Sequence, residues 1–317
     1  MSIGGIEQWL TIKGDNTENP VVLIIHGGPG STMSHFKDDM FSSWMKEFTI
    51  VHWDQRGAGK TFGKNNGNEI NTEFYANTPL NLTDMTNDGI AVTRYLLEYL
   101  DKKKVILLGT SWGTILATQM AQSNPELFHA YLGHAQFVNF KENIKNAYSQ
   151  IAEMAEAMED KKVVEKLIEL GAPPYKSAKK YGQLFRIIKQ YENENSTPEP
   201  SSWWKIAAAY DNNEDSRNRY NGDDYSFLNL VGDETIGVKS MVANLNFEKS
   251  GLVFRLPVFL VQGEQDILTS KALNKPYFEK IRAPRKEYHT VSNAAHGFNT
   301  AIINKQYEIA KSLSVQD

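Results

Sequence analysis

Five short, almost uninterrupted apolar runs constrain the fold of this chain more than any other feature: Val21 to Ile25, Thr49 to Trp53, Val105 to Leu108, Pro257 to Val261 and, more weakly, Lys286 to Val291. A run without polar alternation is a strand buried on both faces, the pattern of a parallel sheet covered by helices. Pro257 opens its run, the strand position at which a missing N–H costs least. Between several runs lie helical patterns. Asp84 to Leu100 carries Met85, Ile90, Val92, Leu96, Leu97 and Leu100 broadly on one side. It ends at Lys102-Lys103-Lys104, positive charge where the helix dipole is negative. The expected class is α/β, with a mostly parallel central sheet flanked by helices.

From about Phe140 to Phe254 the alternation stops. Ile144, Ala147, Ile151, Met154 and Met158 recur at spacings of three and four, an amphipathic helix. Val163 to Leu170 is another, stopped by Gly171 and Pro173-Pro174. A third is expected from about Ala178 to Tyr191, with Tyr181, Leu184, Phe185 and Ile188 inward. Asn193 to Ser202, with Pro198 and Pro200, reads as a loop, and Trp203-Trp204 as the opening of a short helix. Strands resume at Leu256. The division expected is therefore a core of residues 1–139 and 255–317 interrupted by a helical insertion of residues 140–254. No internal repeat or low-complexity tract is present.

Composition narrows the chemistry. With no Cys among 317 residues, a disulfide scaffold, a Cys-ligated metal site and a thiol nucleophile are excluded. A net charge of −4 argues against nucleic acid as a partner, since that binding needs clustered Lys and Arg. Met1 to Trp9 lacks the basic start and apolar stretch of a secretory signal. No apolar run approaches the roughly 18 residues of a membrane span. A cytoplasmic location is the default expectation, and oligomeric state is left open.

Gly109-Thr110-Ser111-Trp112-Gly113 fits G-x-S-x-G. A run of strand character precedes it and Thr114 to Ser123 reads as a helix after it. A strand-to-helix turn this tight needs small residues flanking the Ser. It exposes the hydroxyl at the sheet edge and aims the next backbone N–H at a reacting carbonyl oxygen. The competing reading is an ordinary Gly-rich turn between strand and helix. His26-Gly27-Gly28-Pro29-Gly30 directly follows the first run, and its glycines let backbone approach a ligand closely. Gly28 is the candidate there for a second oxyanion donor, beside the N–H of Trp112.

A Ser hydroxyl needs a base at neutral pH. Of seven His, His52 and His289 lie in apparent strands and are expected to pack or pair there. His296 sits among small residues in Ser292 to Phe298, just past the last strand run, and is the candidate base. Asp266, just past the Pro257 to Val261 run, is the candidate acid; Glu264 is its rival, expected to face solvent. The order Ser111, Asp266, His296 is that of α/β-hydrolases. Asp54-Gln55-Arg56-Gly57-Ala58-Gly59-Lys60-Thr61 ends like a phosphate-binding P-loop. Asp54 stands where that motif needs Gly, and Phe62 to Asn68 reads as loop where a helix should follow, so nucleotide binding is disfavoured.

Together, His26-Gly27-Gly28-Pro29-Gly30, Asp54-Gln55-Arg56-Gly57 and Gly109-Thr110-Ser111-Trp112-Gly113-Thr114 resemble the proline iminopeptidase (prolyl aminopeptidase) branch of the α/β-hydrolase fold. The resemblance covers about the first 135 residues and resumes from Leu256. It implies a serine exopeptidase with an α-helical cap, which the insertion would form, and makes Asp54 to Gly57 a structural loop bordering the site. It also implies cap glutamates that hold the substrate's free amine. Here Trp204-Lys205 stands where a Trp-Glu pair is wanted, and Ala243 corresponds to the second glutamate. Asp211, Glu214, Asp215, Asp223 and Asp224 are possible substitutes. Trp203, Trp204 and Tyr210 are candidate substrate-wall residues, with core packing as the competing role.

The expected reaction is acyl transfer to water without metal or organic cofactor. A short peptide or another small molecule would be the substrate. Lys205 and Ala243 favour an ester or amide lacking a free amine as the alternative, and a non-catalytic binding module is the remote one.

Overall fold

The computed structural model describes residues 1–66 and 70–313. Two short strands, β1 (Ser2–Ile3) and β2 (Ile6–Glu7), form a hairpin. The main sheet holds β3 (Trp9–Lys13), β4 (Val21–Ile25), β5 (Thr49–Asp54), β6 (Val105–Thr110), β7 (Phe128–His134), β8 (Val258–Gly263) and β9 (Lys286–Val291). Its order is β3-β5-β4-β6-β7-β8-β9, with only the edge pair β3–β5 antiparallel. All five apolar runs are strands. Two members of the sheet carry no such run: β7 is broken by His129, Gly133 and His134, and β3 is a half-buried edge.

Alternate residues of the strands feed two cores. Leu23, Ile25, Val51, Trp53, Val105 and Leu107 face one side; Val22, Ile24, Ile50, Ile106, Leu108 and Phe259 face the other. Before β6 come α1 (Gly59–Asn65), α2 (Thr72–Asn77) and α3 (Leu82–Tyr99), and after it α4 (Gly113–Ser123). Met85, Val92 and Leu96 of α3 pack with Ile115, Leu116 and Met120 of α4 in the first core.

Between β7 and β8 lie α5 (Phe140–Ala157), α6 (Lys161–Leu170), α7 (Ala178–Glu194), α8 (Asn213–Val231) and the single turn α9 (Phe247–Ser250). The core resumes with α10 (Lys271–Lys280), and α11 (Thr300–Ser312) covers the second face through Ile302, Ile303 and Ile309. Asn side chains at positions 81, 139, 212 and 299 accept backbone N–H bonds that start α3, α5, α8 and α11. Among the described residues, no helix is long and apolar enough to cross a membrane.

Two expectations need correction. The stretch from Phe62 to Asn68 was expected as loop; Phe62 to Asn65 is instead the body of α1, while Gly67 and Asn68 lie outside the described residues. Tertiary contacts override the Gly- and Asn-rich sequence. Asp54 accepts the first-turn N–H of Lys60 at 2.9 Å, and Phe62 is buried against Tyr225 and Phe74. The P-loop likeness still fails, because the Asp54 carboxylate occupies the Lys60 N–H and the Lys60 ammonium pairs with Asp215 at 2.7 Å. Trp203 and Trp204 close, rather than open, a short 3-10 turn, Ser201–Trp204.

Candidate active site

Ser111 occupies the connection between β6 and α4 with φ 51°, a left-handed backbone conformation that costs a non-glycine residue energy and occurs where a tight turn over-determines it. Gly113 is obligatory here: a Cβ on it would lie 2.0 Å from the carbonyl oxygen of Ile25. The Ser111 N–H donates to the His134 carbonyl at 2.9 Å, and the N–H of Thr114 donates back to the Ser111 carbonyl, so the turn is fixed from both sides.

Asp266 and His296 reach Ser111 from neighbouring strand ends. Gly263, the last residue of β8, lets their loops touch, since a Cβ there would lie 2.3 Å from the Ala295 carbonyl oxygen. Backbone bonds from Glu264 to Val291 and from Gln265 to Ala294 lace the two loops together. The Asp266 carboxylate is buried and accepts from the N–H and hydroxyl of Thr269 at 2.7 and 2.6 Å. It lies 3.2 and 3.3 Å from Nδ1 of His296, whose Nε2 is 2.7 Å from Oγ of Ser111. A carboxylate can only accept, so Nδ1 carries the proton and Nε2 is left as the acceptor for the Ser hydroxyl. Burial alone would lower the His296 pKa, but Asp266 first and Glu192 second hold it above the ordinary value. Burial likewise opposes ionisation of Asp266, and His296 and Thr269 outweigh it, leaving that carboxyl below its usual range. The rival Glu264 is exposed and faces Lys271.

The loop 26–30 abuts the nucleophile: a Cβ on Gly27 would lie 3.3 Å from that of Ser111. Gly28 has φ 107°, and a Cβ on it would meet the backbone N of Ser31 at 2.4 Å. Among the described residues, no hydrogen bond engages the backbone N–H of Gly28 or of Trp112. Gln55 ties this loop to the turn around Ser111. Its amide donates to the His26 carbonyl at 2.9 Å and accepts from the Trp112 indole N–H at 2.9 Å. The Gln55 backbone N–H points to Nε2 of His26, whose Nδ1 faces the Gly27 carbonyl; burial pushes that imidazole down to about 4 and keeps it neutral. His52 is buried beside Phe41, and His289 pairs with Glu287 at 3.1 Å.

Two acids from the insertion border these groups. Asp223 of α8 backs onto Gly30, where a Cβ would lie 2.4 Å from the Asp223 Cα, and its Oδ1 accepts from Ser31 Oγ at 3.3 Å. It reaches solvent, yet the walls around it remove enough water to raise its pKa, with Asp224 adding to the effect. Glu192 of α7 is buried and was not singled out by the sequence reading. The signal was available: it follows Ile188 by four residues on the inward, apolar stripe of its helix, where a charge has to find partners. Glu192, Asp266 and His296 hold ligand-type atoms within 4.8 Å of one another, a spacing a metal ion could bridge. Their oxygens already face the peptide N–H groups of Ile267, Leu268 and Thr269.

The three aromatic candidates each have packing or hydrogen-bond partners within the fold. Trp203 packs in the second core beside Phe41 and Met40, Trp204 lies edge-on to Phe36, and Tyr210 accepts from the Trp9 indole N–H at 2.9 Å. A groove of about 690 Å³ is lined by Asp266 and Ile267 of this turn together with Gln150, Asn195, Ser270 and Lys271.

Comparison with known proteins decides the family. Residues 20–299 match the alpha/beta hydrolase fold. The chain belongs to the α/β-hydrolase family. This hydrolase is 28% identical over 300 residues to a protein named probable aminopeptidase YbaC from Bacillus subtilis (strain 168), covering 93% of this chain and 89% of that one. It is 29% identical over 129 residues to a proline iminopeptidase of Lactobacillus helveticus, 40% of this chain and 39% of that enzyme. The expected likeness to the proline iminopeptidase branch therefore holds. Among solved structures, the α/β hydrolase is similar in fold to VinJ, with a TM-score of 0.63 and 17% identity over 98% of this chain and 96% of VinJ.

Proposed function

We propose that the protein is a serine hydrolase that transfers an acyl group to water and acts as an aminopeptidase on short peptides. One observation carries the chemistry: a single imidazole lies 2.7 Å from the Ser111 hydroxyl and 3.2 Å from a buried carboxylate. Nε2 of His296 takes the hydroxyl proton as Ser111 Oγ attacks the carbonyl carbon. It then protonates the leaving amine as the C–N bond breaks, leaving the acyl group on Ser111. Water, deprotonated by the same nitrogen, releases the acid and restores the serine. Asp266 fixes the tautomer and stabilises the imidazolium. The N–H groups of Gly28 and Trp112 receive the oxyanion, and a donor of that kind is worth roughly 3 to 4 kcal/mol.

The aminopeptidase reading is supported by the YbaC likeness along most of the chain and by Asp223. That carboxylate stands at the rim of the loop that supplies the Gly28 donor, where a substrate ammonium could pair with it. The insertion would then serve as the cap. The competing substrate, an ester or amide without a free amine, is favoured by Lys205 and Ala243, which carry no anion at the positions where the resemblance calls for one. Turnover of a prolyl arylamide beside its N-acylated form separates the two. Cleavage of the free amine alone is expected; equal cleavage of the blocked compound contradicts the aminopeptidase assignment.

A further inference from the structure

One buried acid in the centre of the site has no part in the mechanism above. Oε1 of Glu192 accepts from the backbone N–H groups of Ile267 at 2.8 Å and Leu268 at 3.2 Å, the two residues that follow Asp266. Those donors open the turn whose other end, Thr269, grips the Asp266 carboxylate. The clamp joins α7 of the insertion to the loop after β8, so it spans the boundary between insertion and core. It also places a second carboxyl beside the imidazole, within 4.8 Å of the Asp266 and His296 ligand atoms.

We propose that Glu192 is a positioning residue: it fixes the turn that aims Asp266 and sets a second negative charge against the Asp266–His296 pair, making the base of the reaction depend on the seating of the insertion. The inference rests on the serine-hydrolase reading. The titratable groups around the imidazole are Asp266 from the loop after β8, Glu192 from α7 and His134 from the end of β7; Tyr288 of β9 faces Asp266. His134 is held neutral, its pKa lowered by burial to about 3. Glu192 is therefore the second carboxyl acting on His296. Its own carboxyl is pushed up to about 7, by burial first and by the Asp266 charge second. Removing that charge disfavours the imidazolium, so the His296 pKa falls.

The test is the pH dependence of fluorophosphonate labelling for the native protein and for Glu192→Gln, an isosteric change that keeps an acceptor for both N–H groups. The acidic limb reports protonation of the base and needs no knowledge of the natural substrate. In the variant its midpoint is expected to move to lower pH by a few tenths of a unit, since Glu192 is only part ionised over that limb and the two titrations are linked. A midpoint that stays in place, whether the rate is unchanged or lowered equally at every pH, overturns the proposal and leaves the hydrolase reading standing. Native protein that takes no label overturns both. An NMR titration of the His296 imidazole gives the same shift independently and covers a variant that labels poorly.

Discussion

A hydroxyl, an imidazole and a carboxylate make a relay only if the groups holding them cannot drift, and at this site much of that burden falls on Gln55. Its side chain is fully buried and makes one bond to the His26 carbonyl and one to the Trp112 indole, joining the loop that carries Gly28 to the turn that carries Ser111. The two candidate oxyanion donors are thus held at a fixed separation by a residue that touches neither the nucleophile nor the base. In Gln55→Leu, both partners lose their bond inside the protein, at about 1 to 3 kcal/mol for each group left unsatisfied. A shift of about 1 Å between the donors can cost about a hundredfold in rate. The expected outcome is a kcat lowered about 10- to 100-fold with little change in KM, read by steady-state kinetics on an arylamide. An unchanged kcat would show that the separation is set elsewhere.

At the scale of elements, legibility followed the way each segment is held. Four of the five strands with apolar runs were readable because both their faces are buried; β9, expected to be buried likewise, is a half-buried edge, which is why its run is the weakest. Helices α5, α6 and α7 were readable because each shows one apolar stripe. The other strands of the main sheet were hidden: β7 spends positions on His129, Gly133 and His134, and β3 is a mixed edge. Helix α8 was not delimited because its inward face mixes polar and small residues with Tyr225, Leu230 and Val231, and so shows no continuous apolar stripe. Asp215 pairs with Lys60, Ser226 donates to the Gly57 carbonyl at 2.9 Å, and Gly222 lets the backbones approach. Its pattern makes sense only beside α1, itself hidden by Gly59, Gly63 and Asn65. The same logic holds for the site. Ser111, Asp266 and His296 were readable because each sits just past a strand. Glu192 was legible only as an acid on the inward stripe of α7; its partners, peptide N–H groups some 75 residues away in sequence, were not.

The whole molecule concentrates buried titratable groups around the sheet, and their shifts set its pH tolerance. Burial lowers His26 to about 4 and His35, His52 and His134 to about 3. The unfolded chain protonates these imidazoles near pH 6.5 and the folded chain does not, so the stability they contribute is present above that pH and lost as pH falls through it. Asp54 and Glu192, raised mainly by burial to about 6 and about 7, act in the opposite sense, since the folded state takes their protons first. Four imidazoles outweigh these two carboxyls. Unfolding free energy from urea titration is therefore expected to drop between pH 6.5 and 5, by roughly 2 kcal/mol or more; a flat or rising profile would mean these histidines are already protonated in the fold. The claim beneath all of this is that the fold delivers one activated serine. Treating the native protein with a fluorophosphonate and mapping the adduct by peptide mass spectrometry tests it most directly. The account predicts one adduct per chain, on the peptide carrying Ser111, and none after Ser111→Ala. An adduct on another residue, or equal labelling of that variant, would contradict it.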